Sequence, residues 1–470
     1  MGSRFSRPRH ARAAARWRGT KMSLLNSTTE PPFIRRSWLD TPIEPALAVV
    51  AGVIVFFLTT HSFQFLFADT VVGGMAERAS GRGNLAYLAL YGAQGGIFAL
   101  LMVMRVVSGA VTVRLGLAIT FCLFVVGSAF WSIGSSSTLF YATVLSNQVI
   151  AAYLLAQYLT PKQFLRLFFF VAAIITVSSF VLLFIAPELV AQERYGGGWL
   201  GDYEYTGVMS SKNLGSYVFV AALLLAWHGR LIDVGWSWRL IVGVLALCSI
   251  ALSSSATALL AAVFLIGLST FIRLIRPQPF GLFFAVYLAL LTIVVTVPFI
   301  DIGNLLGVIG RDATFTGRTE LWALAFEAIA DRPVLGHGYY GFFDTNPFSP
   351  VWNFWEHFLY FLTDTFHNSA IDTTVSLGFV GLAIMCAVCV FAGLIAFDKA
   401  VEAGVRILSL TILSVFVIGS SMELAIFHHN YIATIIVFYF AFVANKPREP
   451  GSRGLQGIGD DGDQAARKAG

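Results

Sequence analysis

The sequence is short of charge. Only 12% of its 470 residues are Asp, Glu, Lys or Arg and 57% are hydrophobic, whereas a soluble globular domain usually carries about 25% charged residues. So little polar surface cannot keep a chain of this length in water. The composition therefore excludes a water-soluble enzyme, a disordered protein and a fibrous protein, and it favours a protein embedded in a lipid bilayer.

Cysteine is also scarce. The four cysteines all lie in apolar runs: Cys122, Cys248, Cys386 and Cys389. The last two match the CxxC spacing of redox and zinc sites, but no strand–helix pattern surrounds them. We therefore expect four thiols that act as small hydrophobic side chains, with no redox or zinc function.

Apolar runs long enough to predict transmembrane helices recur along the chain. There are twelve of them: 46–67, 84–104, 115–132, 139–160, 165–186, 213–229, 239–253, 257–273, 280–299, 371–396, 406–422 and 428–444. Lys and Arg cluster at alternate connections, and the short loops between, such as 132–138 and 253–257, contain none. By the positive-inside rule the Lys- and Arg-bearing side is cytoplasmic, and it holds both termini.

Polar tails flank the predicted transmembrane domain, residues 46–444. Residues 1–36 carry nine basic groups and one acid, so the N-terminal segment 1–45 is strongly basic. A basic segment beside a span is typical of a cytoplasmic anchor attracted to anionic lipid, so we expect membrane lipid and no nucleic acid as its partner. Residues 445–470 are polar without periodicity, which predicts a disordered cytoplasmic tail.

Two predicted outer loops, residues 187–212 and 301–370, are longer than the other connections. Loops of this length usually carry function or are disordered. The second loop is rich in aromatic residues, which argues against disorder and predicts an interfacial segment on the outer membrane face. We therefore expect the active surface to face outward.

One motif in the second loop resembles a dinucleotide-binding motif. Residues 336–341, GHGYYG, satisfy the GxGxxG pattern of dinucleotide-binding sites. That motif needs a preceding strand, but here a helix is predicted before it. We expect instead glycine-rich turns that let the backbone approach another part of the chain closely.

The segment 314–333 predicts a short amphipathic helix in the same loop. Four apolar residues share one face of it: Leu321, Ala325, Ala328 and Ile329. Arg318 lies in the first turn, where a cation opposes the helix dipole at a cost of about 0.3–1 kcal/mol. Such a placement is favourable if free backbone N–H groups and the guanidinium both face a bound anion. The alternative is a surface arginine paired with a nearby acid such as Asp312.

Three more ionisable residues stand out on the outer side. Lys212 begins the sixth span, either as an anion ligand or as a lysine that extends to the membrane interface. His367 ends the second loop and can accept a hydroxyl proton near neutral pH. Glu423 is a carboxylate near the end of a span, where ionisable residues tend to be functional. A metal site at His367 would need Asp364 and His357 as further ligands, so we expect none.

These residues stand in an order that resembles the O-antigen ligase superfamily, and most closely its ExoQ-like, Wzy-type exopolysaccharide polymerase branch. The likeness covers about residues 140–445. It rests on seven features: SKNLG at 211–215, SSSAT at 253–257, GRTELW at 317–322, RPVLGHG at 332–338, HN at 367–368, LGFVGL at 377–382, and Glu423.

The resemblance implies a GT-C-type glycosyltransferase of the bacterial inner membrane. Such enzymes take a glycan from an undecaprenyl-diphosphate donor and transfer it to an acceptor hydroxyl, on another lipid-linked repeat unit in polymerases or on lipid A-core in ligases. By position, Arg318 matches the family's diphosphate-binding arginine and His367 its histidine near the acceptor. Lys212 stands where ligases often carry arginine, and it keeps the charge but loses the bidentate fork.

The expected protein is an all-α polytopic membrane protein with about twelve transmembrane helices, GT-C-like, whose two long loops are periplasmic. Arg318 and Lys212 would stabilise the diphosphate charge without a metal, since neither long loop contains a DxD motif. His367 would assist the attacking hydroxyl, with Glu423 as a further catalytic candidate. Three residues are secondary candidates: Arg311, Asn368 and His337. No cofactor is expected. Expected partners are the lipid-linked glycan donor, the glycan acceptor, membrane lipid, a chain-length regulator and a flippase.

Two alternatives to a polymerase stay open at this point. A ligase or protein O-glycosyltransferase would use the same donor with a different acceptor. A polysaccharide-precursor transporter or flippase is suggested by the twelve spans, but the sequence has no half-to-half repeat and its ionisable residues cluster in the outer loops. The pattern therefore favours an enzyme over a transporter.

Overall fold

In the computed structural model the chain forms a bundle of helices with an almost entirely hydrophobic interior. The structure describes residues 43–60, 62–63, 85–107, 112–198, 201–209, 211–296, 318–344, 349–352, 365–421 and 426–443. Of the predicted N-terminal tail, 1–45, only the last three residues are among them. The predicted tail 445–470 lies outside the described residues.

Thirteen α-helices and one β-hairpin make up the described chain. The helices are α1 (Ile43–Thr59), α2 (Leu85–Val107), α3 (Val113–Gly127), α4 (Ser135–Tyr158), α5 (Pro161–Ile185), α6 (Lys212–Trp227), α7 (Trp236–Leu252), α8 (Ala256–Leu274), α9 (Phe280–Thr296), α10 (Arg318–Asp331), α11 (Ser369–Gly393), α12 (Ala403–Gly419) and α13 (Ile432–Val443). The strands are β1 (Ala191–Gly198) and β2 (Gly201–Tyr205), which pair antiparallel.

Every predicted span overlaps one of these helices. Six are long and apolar enough to cross a membrane, namely α2, α3, α4, α5, α8 and α11. The six shorter apolar helices, α1, α6, α7, α9, α12 and α13, coincide with the remaining predicted spans. The additional helix, α10, is the amphipathic helix predicted in the second outer loop. The prediction of an all-α polytopic membrane protein is confirmed.

Three helices form the centre of the bundle. In α6, α12 and α13 almost every side chain is buried, because these helices are apolar on all faces and surrounded by other helices. The outer helices bury one face and expose apolar side chains on the other, for example Leu123, Phe184 and Leu260. An outer surface of this kind would be unfavourable in water and is typical of contact with lipid.

The first outer loop contains the hairpin, which the sequence analysis did not predict. At its base, Ala191 of β1 is opposite Tyr205 of β2. The Tyr205 ring is buried and stacks on Phe219 of α6 at 6.0 Å between centroids. Its hydroxyl lies 3.4 Å from Ser249 Oγ of α7, so one aromatic residue anchors the hairpin to two helices.

The second outer loop is anchored to a break inside α11. Gly378 has non-helical backbone angles, φ 66° and ψ −169°, in the middle of that helix. At the break, the Phe379 and Val380 N–H groups donate to the carbonyls of Pro333 and Val334 at 2.8 and 3.3 Å. The loop thus satisfies backbone groups that the helix leaves unpaired.

Candidate functional site

Helix α10 presents the predicted anion-binding position. The structure confirms its amphipathic face, since Leu321, Ala325, Ala328 and Ile329 are all buried. Arg318 is the first residue of the helix, one turn before Trp322. The Trp322 Nε1–H donates to the Phe366 carbonyl at 2.9 Å. This bond brings the first half of α10 next to His367, which follows Phe366 in the chain.

His367 lies in a tight turn immediately before α11. It is half-buried and adopts φ 55°, the left-handed region that only a small fraction of residues other than glycine occupy. The His367 N–H donates to Thr365 Oγ1 at 2.8 Å. Thr365 Oγ1 in turn donates to Asp372 Oδ2 at 3.2 Å. A polar network therefore surrounds the backbone of this histidine.

Asn368, a secondary candidate, has a capping role in the structure. Its Oδ1 accepts from the Ala370 and Ile371 N–H groups at 2.9 and 3.1 Å, which caps the start of α11. Its Nδ2–H donates to the Ser421 carbonyl at 3.2 Å. Asn368 thus ties the beginning of α11 to the residues that follow α12.

Lys212, the predicted second cation, is the first residue of α6 and forms an ion pair. Its Nζ lies 2.6 Å from Glu204 Oε1 at the end of β2, and the two side chains are 25% and 20% exposed. Sequence reasoning did not single out Glu204, because an acid eight residues before a lysine matches neither helical nor strand spacing. The ion pair holds the hairpin against the start of α6.

Lys212 and His367 flank the same end of α12. One and a half turns after Lys212, the Tyr217 ring packs against Gly419, the last residue of α12, where an added Cβ would lie 3.2 Å from the ring. The next residue, Ser420, accepts through its carbonyl from the Ser369 N–H at 3.0 Å. Lys212 and Arg318 begin α6 and α10, and His367 lies in the turn before α11. These three positions therefore lie at one end of the bundle.

His337, another secondary candidate, is enclosed by protein. Only 4% of it is exposed, and its Nε2 lies 2.9 Å from the Ala328 carbonyl of α10. Burial lowers the pKa of His337 below its usual value, so the ring is neutral at pH 7. Its backbone N–H donates to the Val375 carbonyl of α11 at 2.9 Å. These contacts give His337 a part in joining α10 to α11.

The glycines of residues 336–341 let the backbone approach other parts of the chain closely, as the sequence predicted. A Cβ added to Gly336 would lie 2.6 Å from the Val375 carbonyl oxygen, and Gly338 would approach Ser132 Cβ to 2.5 Å. Both glycines have positive φ. The loop backbone therefore packs directly against α11 and against the short turn that precedes α4.

An aromatic cluster lies beside this loop. Tyr339 OH accepts from the His429 N–H at 2.8 Å, and the His429 ring lies 4.3 Å from Tyr141 and 4.9 Å from Tyr340 between centroids. The neighbouring His428 lines a small cavity of about 10 Å³ together with Asp372. His428 is thus part of the wall next to the His367 turn.

Several predicted residues lie outside the described residues. They are Arg311, His357, Asp364 and Glu423. Within the described residues, no group of three or more His, Cys, Asp or Glu side chains could hold a metal ion.

The chain is similar to known proteins over part of its length. Residues 241–386, which run from α7 into α11 and include Arg318 and His367, match a family model described as O-antigen ligase. A stretch of 209 residues, 41% of this chain, is 32% identical to the exopolysaccharide production protein ExoQ of Rhizobium meliloti (strain 1021) and covers 46% of it. The chain therefore aligns with about half the length of this relative. No solved structure matches the chain.

Proposed function

We propose that this chain, a member of the O-antigen ligase family with an ExoQ-like sequence, polymerises lipid-linked oligosaccharide repeat units into a surface polysaccharide. The donor is an undecaprenyl-diphosphate-linked glycan, and the reaction takes place on the periplasmic face of the bacterial inner membrane. The observation that carries this proposal is the Trp322–Phe366 hydrogen bond. It brings the helix that begins with Arg318 to the turn that holds His367.

The donor diphosphate would bind at the start of α10. The first N–H groups of a helix lack partners within the helix and favour an anion. Arg318 adds a guanidinium, whose planar fork matches phosphate oxygens in a bidentate way. Lys212 would supply a second cation from the start of α6, where its charge is paired with Glu204 and becomes available once the diphosphate displaces that carboxylate. The two cations would stabilise the charge that develops on the leaving diphosphate.

His367 would act on the acceptor. In the transfer step the acceptor hydroxyl oxygen bonds to the anomeric carbon as the bond from that carbon to the diphosphate oxygen breaks. The hydroxyl proton passes to the His367 imidazole, and undecaprenyl diphosphate leaves. Glu423 is the other candidate to take this proton, since it is a carboxylate predicted at the same outer end. This assignment needs neither a metal nor a cofactor.

We propose a membrane topology and a set of partners that agree with this site. Residues 46–444 form the transmembrane domain, loops 187–212 and 301–370 face the periplasm, and the tails 1–45 and 445–470 are cytoplasmic. The partners are the lipid-linked donor, the glycan acceptor and membrane lipid, together with a chain-length regulator and a flippase.

A ligase is the second candidate, because the matching family model is described as O-antigen ligase. It would use the same donor site with lipid A-core or a protein as the acceptor. Deletion of the gene followed by sizing of the surface polysaccharide separates the candidates. Single repeat units left on lipid would identify a polymerase, full-length chains left on lipid a ligase, and no lipid-linked glycan on the outer face a flippase.

A further inference from the structure

We infer that Asp372 and Thr365 are positioning residues that hold His367 in its left-handed backbone conformation and thereby aim its imidazole at the acceptor. The inference rests on the proposed function of His367. Asp372 flanks His367 and Asn368 in the sequence, but sequence reasoning assigned a role to neither Asp372 nor Thr365. Both act through hydrogen bonds to the turn that carries His367.

The Asp372 carboxylate is the centre of this arrangement. Its Oδ1 accepts from the Phe366 N–H at 3.0 Å, and its Oδ2 accepts from Thr365 Oγ1 at 3.2 Å and from the Asn368 N–H at 3.4 Å. These donors lie directly before and after His367. The Thr365 hydroxyl closes the network, because it also accepts from the His367 N–H at 2.8 Å.

The Asp372 carboxylate is removed from most of its water. It is 8% exposed, and within the described residues it makes no ion pair. A buried carboxylate is costly unless hydrogen bonds compensate for the lost water. Here backbone N–H groups and the Thr365 hydroxyl offset part of that cost, and in return the carboxylate stabilises the turn.

An ordinary helix cap does not explain these bonds. Asp372 lies in the first turn of α11, where an acid is generally favourable. The N–H groups of Ala370 and Ile371, however, are already capped by Asn368. The Asp372 oxygens point backwards, to residues 365–368, instead of to the N–H groups of their own helix. What they stabilise is the turn.

The turn needs such support because its conformation is unfavourable. A non-glycine residue with positive φ costs about 1–3 kcal/mol and persists only where its surroundings fix it. Without the network, His367 would relax towards an ordinary backbone conformation and its ring would move away from the acceptor. A displacement of about 1 Å at a reacting group can lower a rate by about a hundredfold.

Thr365 offers the sharpest test, because valine has the same shape as threonine but lacks the hydroxyl. The assay uses the purified full-length protein in nanodiscs with lipid-linked repeat units extracted from the deletion strain. We expect T365V to lower kcat by about ten- to a hundredfold, with the donor KM changed less than about twofold because the diphosphate is bound elsewhere. T365S, which retains the hydroxyl, should recover most of the lost kcat.

Asp372→Asn is the second variant that tests this role. The amide keeps one acceptor oxygen but directs an NH₂ group at donors, so kcat should again fall without a matching rise in the donor KM. Because Asp372 and Thr365 belong to one network, the double variant should fall no further than the worse single variant. The matched control is T374V, which removes the buried Thr374–Ala370 hydrogen bond on the same helix and should leave kcat unchanged.

The possible outcomes are distinguishable. If H367A loses activity while T365V and Asp372→Asn keep wild-type kcat, the positioning role is wrong and the proposed function stands. If T365S is as impaired as T365V, or T374V is as impaired as both, the loss reflects general destabilisation and the inference also fails. If H367A itself keeps full activity, the proposed role of His367 is wrong.

Discussion

At the scale of single residues, the most direct test concerns Arg318. We expect Arg318→Ala to abolish polymer formation while the protein still inserts, because the diphosphate loses its bidentate partner. Arg318→Lys should rescue only part of the activity, since a point charge does not reproduce the fork. The measurement is the length profile of the surface polysaccharide in a complemented deletion strain, with insertion checked by membrane fractionation.

The control for Arg318 is Arg166→Ala. Arg166 lies near the start of α5, where its guanidinium is 6.0 Å from the Phe170 ring, and it is predicted to face the cytoplasm. Polymer length should be unaffected by its loss. Wild-type polymer from Arg318→Ala cells would exclude this arginine from the donor site.

His367 permits a separation of catalysis from binding. We expect H367A to slow transfer by about 10²–10⁴-fold, the range for general acid–base assistance, with donor affinity nearly unchanged. His367→Gln keeps a hydrogen-bonding group but takes no proton at neutral pH, so activity retained in this variant alone would indicate orientation of the acceptor. Turnover and donor affinity are measured in parallel with purified enzyme.

The outcome that contradicts the acceptor role is normal turnover with weak donor binding in H367A. His367 would then belong to the diphosphate site, and Glu423 would become the first candidate for the base. EDTA should leave the reaction unchanged. Inhibition that a divalent ion reverses would support a metal at His367, Asp364 and His357.

At the scale of elements, the break in α11 gives a prediction about Gly378. Any other residue there would have to adopt a positive φ, and its Cβ would collide with the Val334 carbonyl. We expect Gly378→Ala to detach the second outer loop from α11, with a loss of about 1–3 kcal/mol and of polymer formation. Gly267→Ala is the matched control, because nothing lies within 4 Å of the added Cβ in α8.

Thermal unfolding in detergent measures both glycine variants. A lowered Tm for Gly378→Ala beside an unchanged or raised Tm for Gly267→Ala would support the role of the break. Equal Tm values for the two variants would contradict it.

His337 makes the contact between α10 and α11 sensitive to pH. Because burial lowers its pKa in the folded protein, the neutral ring is favoured on folding. The stability that it contributes is present above the unfolded pKa of about 6.5 and decreases as the pH falls below that value. We expect the Tm of the wild type to fall below about pH 6.5 more steeply than that of His337→Gln, and parallel curves would contradict this.

The helices were predictable from sequence to a much greater extent than the contacts of the site. Apolar runs determine where the helices lie, so most predicted and observed bounds differ by up to about five residues, although the first helix ends at Thr59 and not at 67. The β1 residues, AQERYGGG, lack the alternation of apolar and polar residues that indicates a strand. The β2 residues, GDYEY, show that alternation over only four positions in a glycine-rich loop. The hairpin was therefore missed.

The site was predictable only in its most polar members. Arg318, Lys212 and His367 stand out because ionisable groups are rare in this chain. Glu204, near the end of β2, contacts Lys212 at the start of the next helix, and Asp372 contacts the backbone of the turn that precedes its own helix. No spacing rule connects such pairs. Sequence therefore indicated the ionisable residues of the proposed site but not the groups that contact them.

At the scale of the whole molecule, the central prediction is topology. A periplasmic reporter fused after Asp344 should be active, and fusions after Lys162 or Pro447 should behave as cytoplasmic. Lys162 and Asp233, from two predicted cytoplasmic connections, lie 2.9 Å apart, which places these two connections on the same side of the bundle. A cytoplasmic reading at Asp344 would reverse the orientation and place the proposed site on the wrong face.

The central position of α13 has a consequence for how the protein is made. This helix follows all the other described helices in the chain, yet it packs between α4 and α11 and is buried on nearly every side. During synthesis the earlier spans enter the membrane before their common neighbour exists. The bundle cannot close until the ribosome has passed residue 443. A nascent chain that stalls earlier therefore leaves α4 and α11 facing lipid instead of α13.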